Sequence, residues 1–137
     1  MSLTMLMYAS VSRLRPQTAQ GAVEALVKAA RVRNAVHGIT GSLLFTEAHF
    51  VEILEGPAAS IEALWQNLQS DPRHGDLIVA DHGPVAERRF DRWDLAYSGP
   101  AQYVSKRVRP LFDAADPVGQ ARSARWMVRL MQELNGT

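Results

Sequence analysis

The chain has no cysteine among its 137 residues, which excludes a disulfide scaffold, thiolate catalysis and cysteine-ligated zinc or iron–sulfur sites. Aromatic residues make up only 7%, and basic residues do not interleave with them as a stacking platform for single-stranded nucleic acid requires. No apolar run approaches the ~18–20 residues that span a bilayer, and the opening MSLTMLMYAS lacks a basic segment ahead of its apolar stretch. There is no excess of one charge either: 15 Lys and Arg against 14 Asp and Glu give +1, so no global attraction to nucleic acid or anionic membrane is expected. The chain is expected to be soluble and cytoplasmic, with no membrane or nucleic-acid partner.

The motifs G-x-G-x-x-G, G-x-x-x-x-G-K-[ST], H-E-x-x-H and G-x-S-x-G are absent, which removes the common nucleotide, zinc-protease and hydrolase signatures. The four histidines, His37, His49, His74 and His82, include no i,i+4 pair, so no metal site is expected. An enzyme is not expected.

What is present is 47% hydrophobic residues, enough for one compact core in a chain of ordinary single-domain length. Leu3–Ala9 is a short apolar run that breaks before Pro16 and predicts a first strand. Val23, Leu26, Val27 and Ala30 recur at helical spacing within 20–34. Asn34 falls on that same face, and Gly38 stops the helix. Ile39–Phe45 and Phe50–Leu54, separated by four residues, predict a hairpin. Ile61, Leu64, Trp65 and Leu68 mark a second helix that ends at Asp71-Pro72. Leu77–Ala80 and Phe90–Tyr97 predict two more strands, with Trp93, Leu95 and Tyr97 on one face by alternation.

The order βαββαββ predicts an α+β, ferredoxin-like sandwich with a five-stranded mixed sheet and two helices on one face. Residues 1–100 carry 9 basic and 11 acidic residues, whereas 101–137 carry 6 and 3. The break predicts a domain at 1–100 and a basic C-terminal extension at 101–137. Within it, Trp126, Met127, Leu130, Met131 and Leu134 share one arc and Arg122, Arg125 and Arg129 the other. A helix over 117–134 is therefore expected to cap the open sheet face or to meet a partner or sister subunit.

Three polar residues sit on faces expected to be buried: Tyr8, Asn34 and Glu52. Ordinary explanations exist for each, respectively a core tyrosine, a helix C-cap and a rim carboxylate. Together they could also line one pocket for a ligand with both donors and acceptors.

The segments Tyr8-Ala9-Ser10, Arg31-Val32-Arg33-Asn34, Gly38 to Phe45, Phe50-Val51-Glu52-Ile53-Leu54-Glu55-Gly56, Asp71-Pro72-Arg73-His74 and Arg88-Arg89-Phe90-Asp91-Arg92-Trp93 resemble, in order and spacing, the BLUF family of blue-light sensors that use flavin adenine dinucleotide (FAD). The resemblance implies a flavin held between the two helices of the same sandwich. It implies that Tyr8 is the electron donor, that Asn34 bonds the ring, that Arg31 lies in the flavin-contacting part of the first helix and that Arg73 and His74 stand near the ribose and phosphate. Trp93 matches the tryptophan whose placement is linked to signalling. Three positions depart from the family pattern. Glu52 replaces a glutamine whose amide bridges tyrosine and flavin, Leu95 stands where methionine is common, and Ala30 replaces a serine. The expectation is a photoreceptor binding FAD without a covalent bond, with photoactive Tyr8, Glu52, Trp93 and Leu95, cofactor-binding Tyr8, Ala30, Arg31, Asn34, Glu52, Arg73 and His74, and a photocycle altered by Glu52. With no room for a fused effector, output would pass to a separate signalling protein, and a homodimer or higher homo-oligomer is expected. The alternatives are a flavin-free relative kept for interaction or dimerisation and, more remotely, an acylphosphatase-like hydrolase, whose glycine-rich arginine loop is missing.

Overall fold

A computed structural model describes residues 2–136. The elements follow the order β1 (Leu3–Ser12), α1 (Ala19–Val36), β2 (Thr40–Phe45), β3 (His49–Gly56), α2 (Ala58–Gln69), β4 (His74–Val85), β5 (Trp93–Ser98), α3 (Gln102–Val108), a 3₁₀ turn (Arg109–Phe112) and α4 (Pro117–Leu134). The strands form one sheet in the order β4-β1-β3-β2-β5. All neighbours are antiparallel except β2 and β5. Both helical crossovers therefore return a strand parallel to the one it left, with one strand between, which is the split βαβ of a ferredoxin-like sandwich.

Alternation along the strands divides the core in two. Leu6, Tyr8, Leu43, Phe45, Phe50, Leu54 and Trp93 face α1 and α2, packing on Val23, Val27, Ala30, Ile61 and Leu64. Met5, Met7, Ala9, Leu44, Val51 and Ile53 face the other way and are covered by Val108, Leu111, Ala124, Met127 and Met131. The apolar arc of α4 thus closes the open sheet face. Asp116 caps this helix, accepting from the Gly119 N–H at 3.0 Å, with Pro117 as its first residue.

Some boundaries differ from the sequence expectation. β4 is 12 residues long instead of the four at Leu77–Ala80. It is an edge strand, so half of its surface stays wet and polar residues such as Asp76, Asp81 and His82 dilute its pattern. β5 begins at Trp93, not Phe90. Phe90 precedes it, buried against the α4 side of the core. Tyr97 leaves the alternation because a register shift after Leu43–Leu95 sets it opposite Leu44, where it is exposed and its hydroxyl donates to the Pro100 carbonyl. α3 and the 3₁₀ turn have no counterpart in the sequence reading, and α1 runs two residues beyond Asn34. No helix among the described residues is long and apolar enough to cross a membrane.

Candidate functional site

Strand register assembles the site. Tyr8 on β1 pairs with Glu52 on β3, Glu52 with Leu43 on β2, and Leu43 with Leu95 on β5. These four side chains form a row across the sheet on the α1–α2 side. Trp93 lies two residues before Leu95 and is paired with Gly41, so no side chain obstructs its indole on the way across β2. The Tyr8 hydroxyl donates to Glu52 Oε1 at 2.6 Å, and the Trp93 indole N–H donates to Glu52 Oε2 at 2.8 Å. All three residues are buried.

Burial pushes the Glu52 carboxyl above the ordinary 4.5, and the bonds from Tyr8 and Trp93 pull part of that back. Tyr8 is held well above the usual phenol value, first by burial and then by the adjacent Glu52 charge, so it keeps its proton at any physiological pH. Glu52 is therefore neither exposed nor at a rim. It is a buried acceptor with two dedicated donors.

A cleft opens over this triangle between α1, α2 and the start of β4, lined by Tyr8, Leu26, Ala30, Arg33, Leu43, Phe50, Glu52, Leu68, Asp71, Arg73, His74 and Trp93. Its enclosed space is about 40 Å³, room for a few waters, and about 440 Å³ with the open mouth included. A ring system would enter only by parting the lining side chains. Beside it, also between α1 and α2, Arg33, Asn34, His37 and Asn67 line a second cavity of about 80 Å³. Asn34 is wholly buried, and its Nδ2 donor has no partner among the described residues. It is not the helix cap, a position held by His37. An orphaned buried amide donor is costly, about 1–3 kcal/mol, and is relieved by an acceptor arriving from outside the chain.

The remaining sequence candidates separate. Ala30 lines the main cleft, and Leu95 packs, half-buried, against the same core. His74 is buried, with Nε2 against the Leu68 carbonyl and Nδ1 against the Ser10 hydroxyl, both at 2.7 Å. The carbonyl can only accept, so Nε2 carries the proton. Arg73 sits at the cleft with its guanidinium on Asp71, Nη2 to Oδ2 at 2.6 Å and Nε to Oδ1 at 2.9 Å, and these bonds hold the Asp71 carboxyl below its usual range. Arg31 lies elsewhere, exposed and paired with Asp94 at 2.5 Å in a separate groove. Arg33 is the helix cation that reaches the cleft, since Leu26, Ala30 and Arg33 follow i, i+4, i+7 spacing on one face. That spacing could have singled out Arg33. Asp71 has a local signal too, an acid two residues before Arg73 in a turn.

The family model described as "Sensors of blue-light using FAD" matches residues 3–96. The chain is 36% identical over 95 residues to the photoactivated adenylate cyclase subunit beta-like protein FB of Euglena gracilis, covering 69% of this chain and 11% of that protein. It is 34% identical over 92 residues to the blue light- and temperature-regulated antirepressor BluF of Escherichia coli (strain K12), covering 66% and 22%. It thus spans only a small part of the length of these relatives. Among solved structures, the dark state of BlrB, a BLUF protein, superposes with a TM-score of 0.70 at 28% identity over 96% of both chains. The matched segment holds both core helices, all five strands but the last residues of β5, and the whole Tyr8–Glu52–Trp93 triangle, and the chain belongs to the BLUF family of blue-light sensors.

Proposed function

We propose that this chain is a blue-light photoreceptor that binds FAD without a covalent bond between α1 and α2 and passes its signal to a separate protein. The observation that carries the reading is the buried triangle in which Glu52 accepts from both Tyr8 and Trp93 at the floor of the cleft. The residues suit a flavin. The cleft is largely apolar, Asn34 offers an unpartnered amide donor, and Arg33 and Arg73 place cations at its edge.

Bound flavin would supply the absorption of blue light and a one-electron acceptor. Tyr8 is the phenol that can give the electron, and Glu52 Oε1, at 2.6 Å from its oxygen, is placed to take the hydroxyl proton as that happens. Asn34 and Ala30 would bound the ring, with His74 fixed by Ser10 and Leu68 as part of the wall. Arg73 would turn toward a phosphate only by giving up Asp71, and Arg31 would take part only by leaving Asp94.

Glu52 alters the photocycle in this reading. A glutamine at this position has both an acceptor and donors and can exchange them by rotation or tautomerisation. An ionised carboxylate has acceptors only, and here Tyr8 and Trp93 occupy both oxygens. Homo-oligomerisation and a separate partner complete the proposal. The flavin-free alternative is less favoured, because Tyr8 and Asn34 are retained inside the matched segment and Asn34 keeps a donor that nothing among the described residues satisfies.

Loading the purified protein with FAD, and separately with FMN, and recording absorption before and after blue light tests the proposal. Flavin bands with a reduced or missing reversible red shift, restored by Glu52→Gln, are expected. A protein that cannot be loaded overturns flavin binding, and a full red shift in the unaltered protein overturns the altered photocycle.

A further inference from the structure

On the sheet face away from the cleft, a groove of about 540 Å³ runs between α4 and the β1–β4 edge, with Met7, Ala80, Ala124 and Val128 among its lining. Arg89, Arg125 and Arg129 line it, against one acid, Asp81. Arg125 and Arg129 are exposed and have no ion-pair partner among the described residues, and neither has Arg122 one turn earlier. A rise of 1.5 Å per residue strings these three cations over ~10 Å of helix. Arg89 adds a second observation. Its Nε is spent on the buried Glu55 at 3.0 Å, but its Nη2 is buried with no partner.

A guanidinium nitrogen withdrawn from water without an acceptor, beside a row of free arginines, calls for an anion. The positive row continues one turn beyond the groove lining to Arg122, which suits an extended anion. The apolar lining is aliphatic and without aromatic rings, which suits leucine-like side chains better than bases. We infer that this groove docks an acidic, amphipathic segment of a partner protein, its carboxylates on Arg89, Arg125 and Arg129 and its aliphatic side chains over Ala121 and Val128. The inference deepens the partner half of the proposed function by giving that partner a chemistry, while the groove itself does not touch the flavin cleft.

Fluorescence anisotropy on the full chain tests it, with a labelled peptide carrying glutamates three and four residues apart and leucines on the opposite face. A lysine-for-glutamate peptide and a single-stranded oligonucleotide of equal charge serve as comparisons. The acidic peptide is expected to bind saturably and at least about tenfold tighter than either. The Arg125→Glu/Arg129→Glu double variant, changed only at exposed positions, should weaken it by at least about tenfold while keeping its circular dichroism and its flavin spectrum. Absent binding, equal binding by the double variant, or tighter binding of the oligonucleotide overturns the inference. Failure to take up flavin in every form would strike the photoreceptor reading and leave the groove's result standing.

Discussion

Trp93 donates its indole N–H to the oxygen of Glu52 that Tyr8 leaves free, so a residue of edge strand β5 and a residue of β1 are tied through one carboxyl group on β3. The tie is worth having only while Glu52 can accept twice. Each single change at the triangle therefore has a definable cost, and the pH at which it is measured matters.

Glu52→Gln should change the pH dependence of stability. Burial raises the folded-state pKa of Glu52 above its unfolded value, so the folded protein holds the proton longer and loses stability as pH rises from the unfolded value through the folded one. Each unit of that difference is worth about 1.4 kcal/mol. Glutamine does not titrate. In urea unfolding, the variant should gain on the parent protein as pH rises above about 4.5, its amide oxygen accepting from Trp93 and its amide nitrogen donating to the Tyr8 oxygen. A gap between the two proteins that stays constant with pH would overturn this account.

Tyr8→Phe keeps the ring contacts with Trp65 at 5.5 Å and with His74 at 5.9 Å but strips the donor from Oε1. A buried acceptor left alone costs about 1–3 kcal/mol. Because the Tyr8 bond lowers the Glu52 pKa, its loss should push that pKa further up, and the cost should be larger at pH 8 than at pH 5. Chemical denaturation at the two pH values, with infrared detection of the protonated carboxyl, would read both effects. Equal losses at both pH values would mean that the two groups are not coupled.

A second buried carboxylate, Glu55, holds the loop ahead of β5. It accepts from the backbone N–H groups of Arg89 at 2.8 Å and Phe90 at 3.2 Å and from Arg89 Nε at 3.0 Å. Glu55→Gln puts an amide donor against N–H donors and leaves Arg89 without its anion. A loss of about 3–5 kcal/mol is expected, the range for breaking a buried ion pair from one side, and it should show as a lowered melting temperature. A melt within a degree or two of the parent would show that the loop is held by Phe90 packing alone.

Much of this was legible in the residues, for physical reasons. Period-two and period-3.6 patterns depend on one wet and one dry face, so β1, β2, β3, α1, α2 and α4 stood out. Of β4 only Leu77–Ala80 did, because as an edge strand it satisfies its polar side chains with water along most of its length. Tyr8, Asn34 and Glu52 were conspicuous as polar residues on dry faces. The Trp93–Glu52 bond was not, because it crosses two strand pairings and depends on register. Arg31 and Arg33 could not be told apart by charge. Their angular distance from Ala30 separates them, placing Arg33 at the cleft and Arg31 on Asp94.

The C-terminal helix should prove to be part of the folded core and not an appendage. Met127 is fully buried against the sheet, whereas Leu134 in the same apolar arc is 46% exposed. Met127→Ala should cost about 2–5 kcal/mol, and Leu134→Ala no more than about 0.5 kcal/mol. Just past the helix, Asn135 accepts from the buried Ser42 hydroxyl on β2 and donates to the Leu95 carbonyl on β5 at 3.4 Å. Asn135→Ala would strand the Ser42 hydroxyl and should cost about 1–3 kcal/mol, with faster hydrogen exchange along β2 and β5 where α4 is pinned. If Met127→Ala and Leu134→Ala lose similar amounts, or if Asn135→Ala leaves exchange in β5 unchanged, α4 does not brace the strand that carries Trp93 and Leu95.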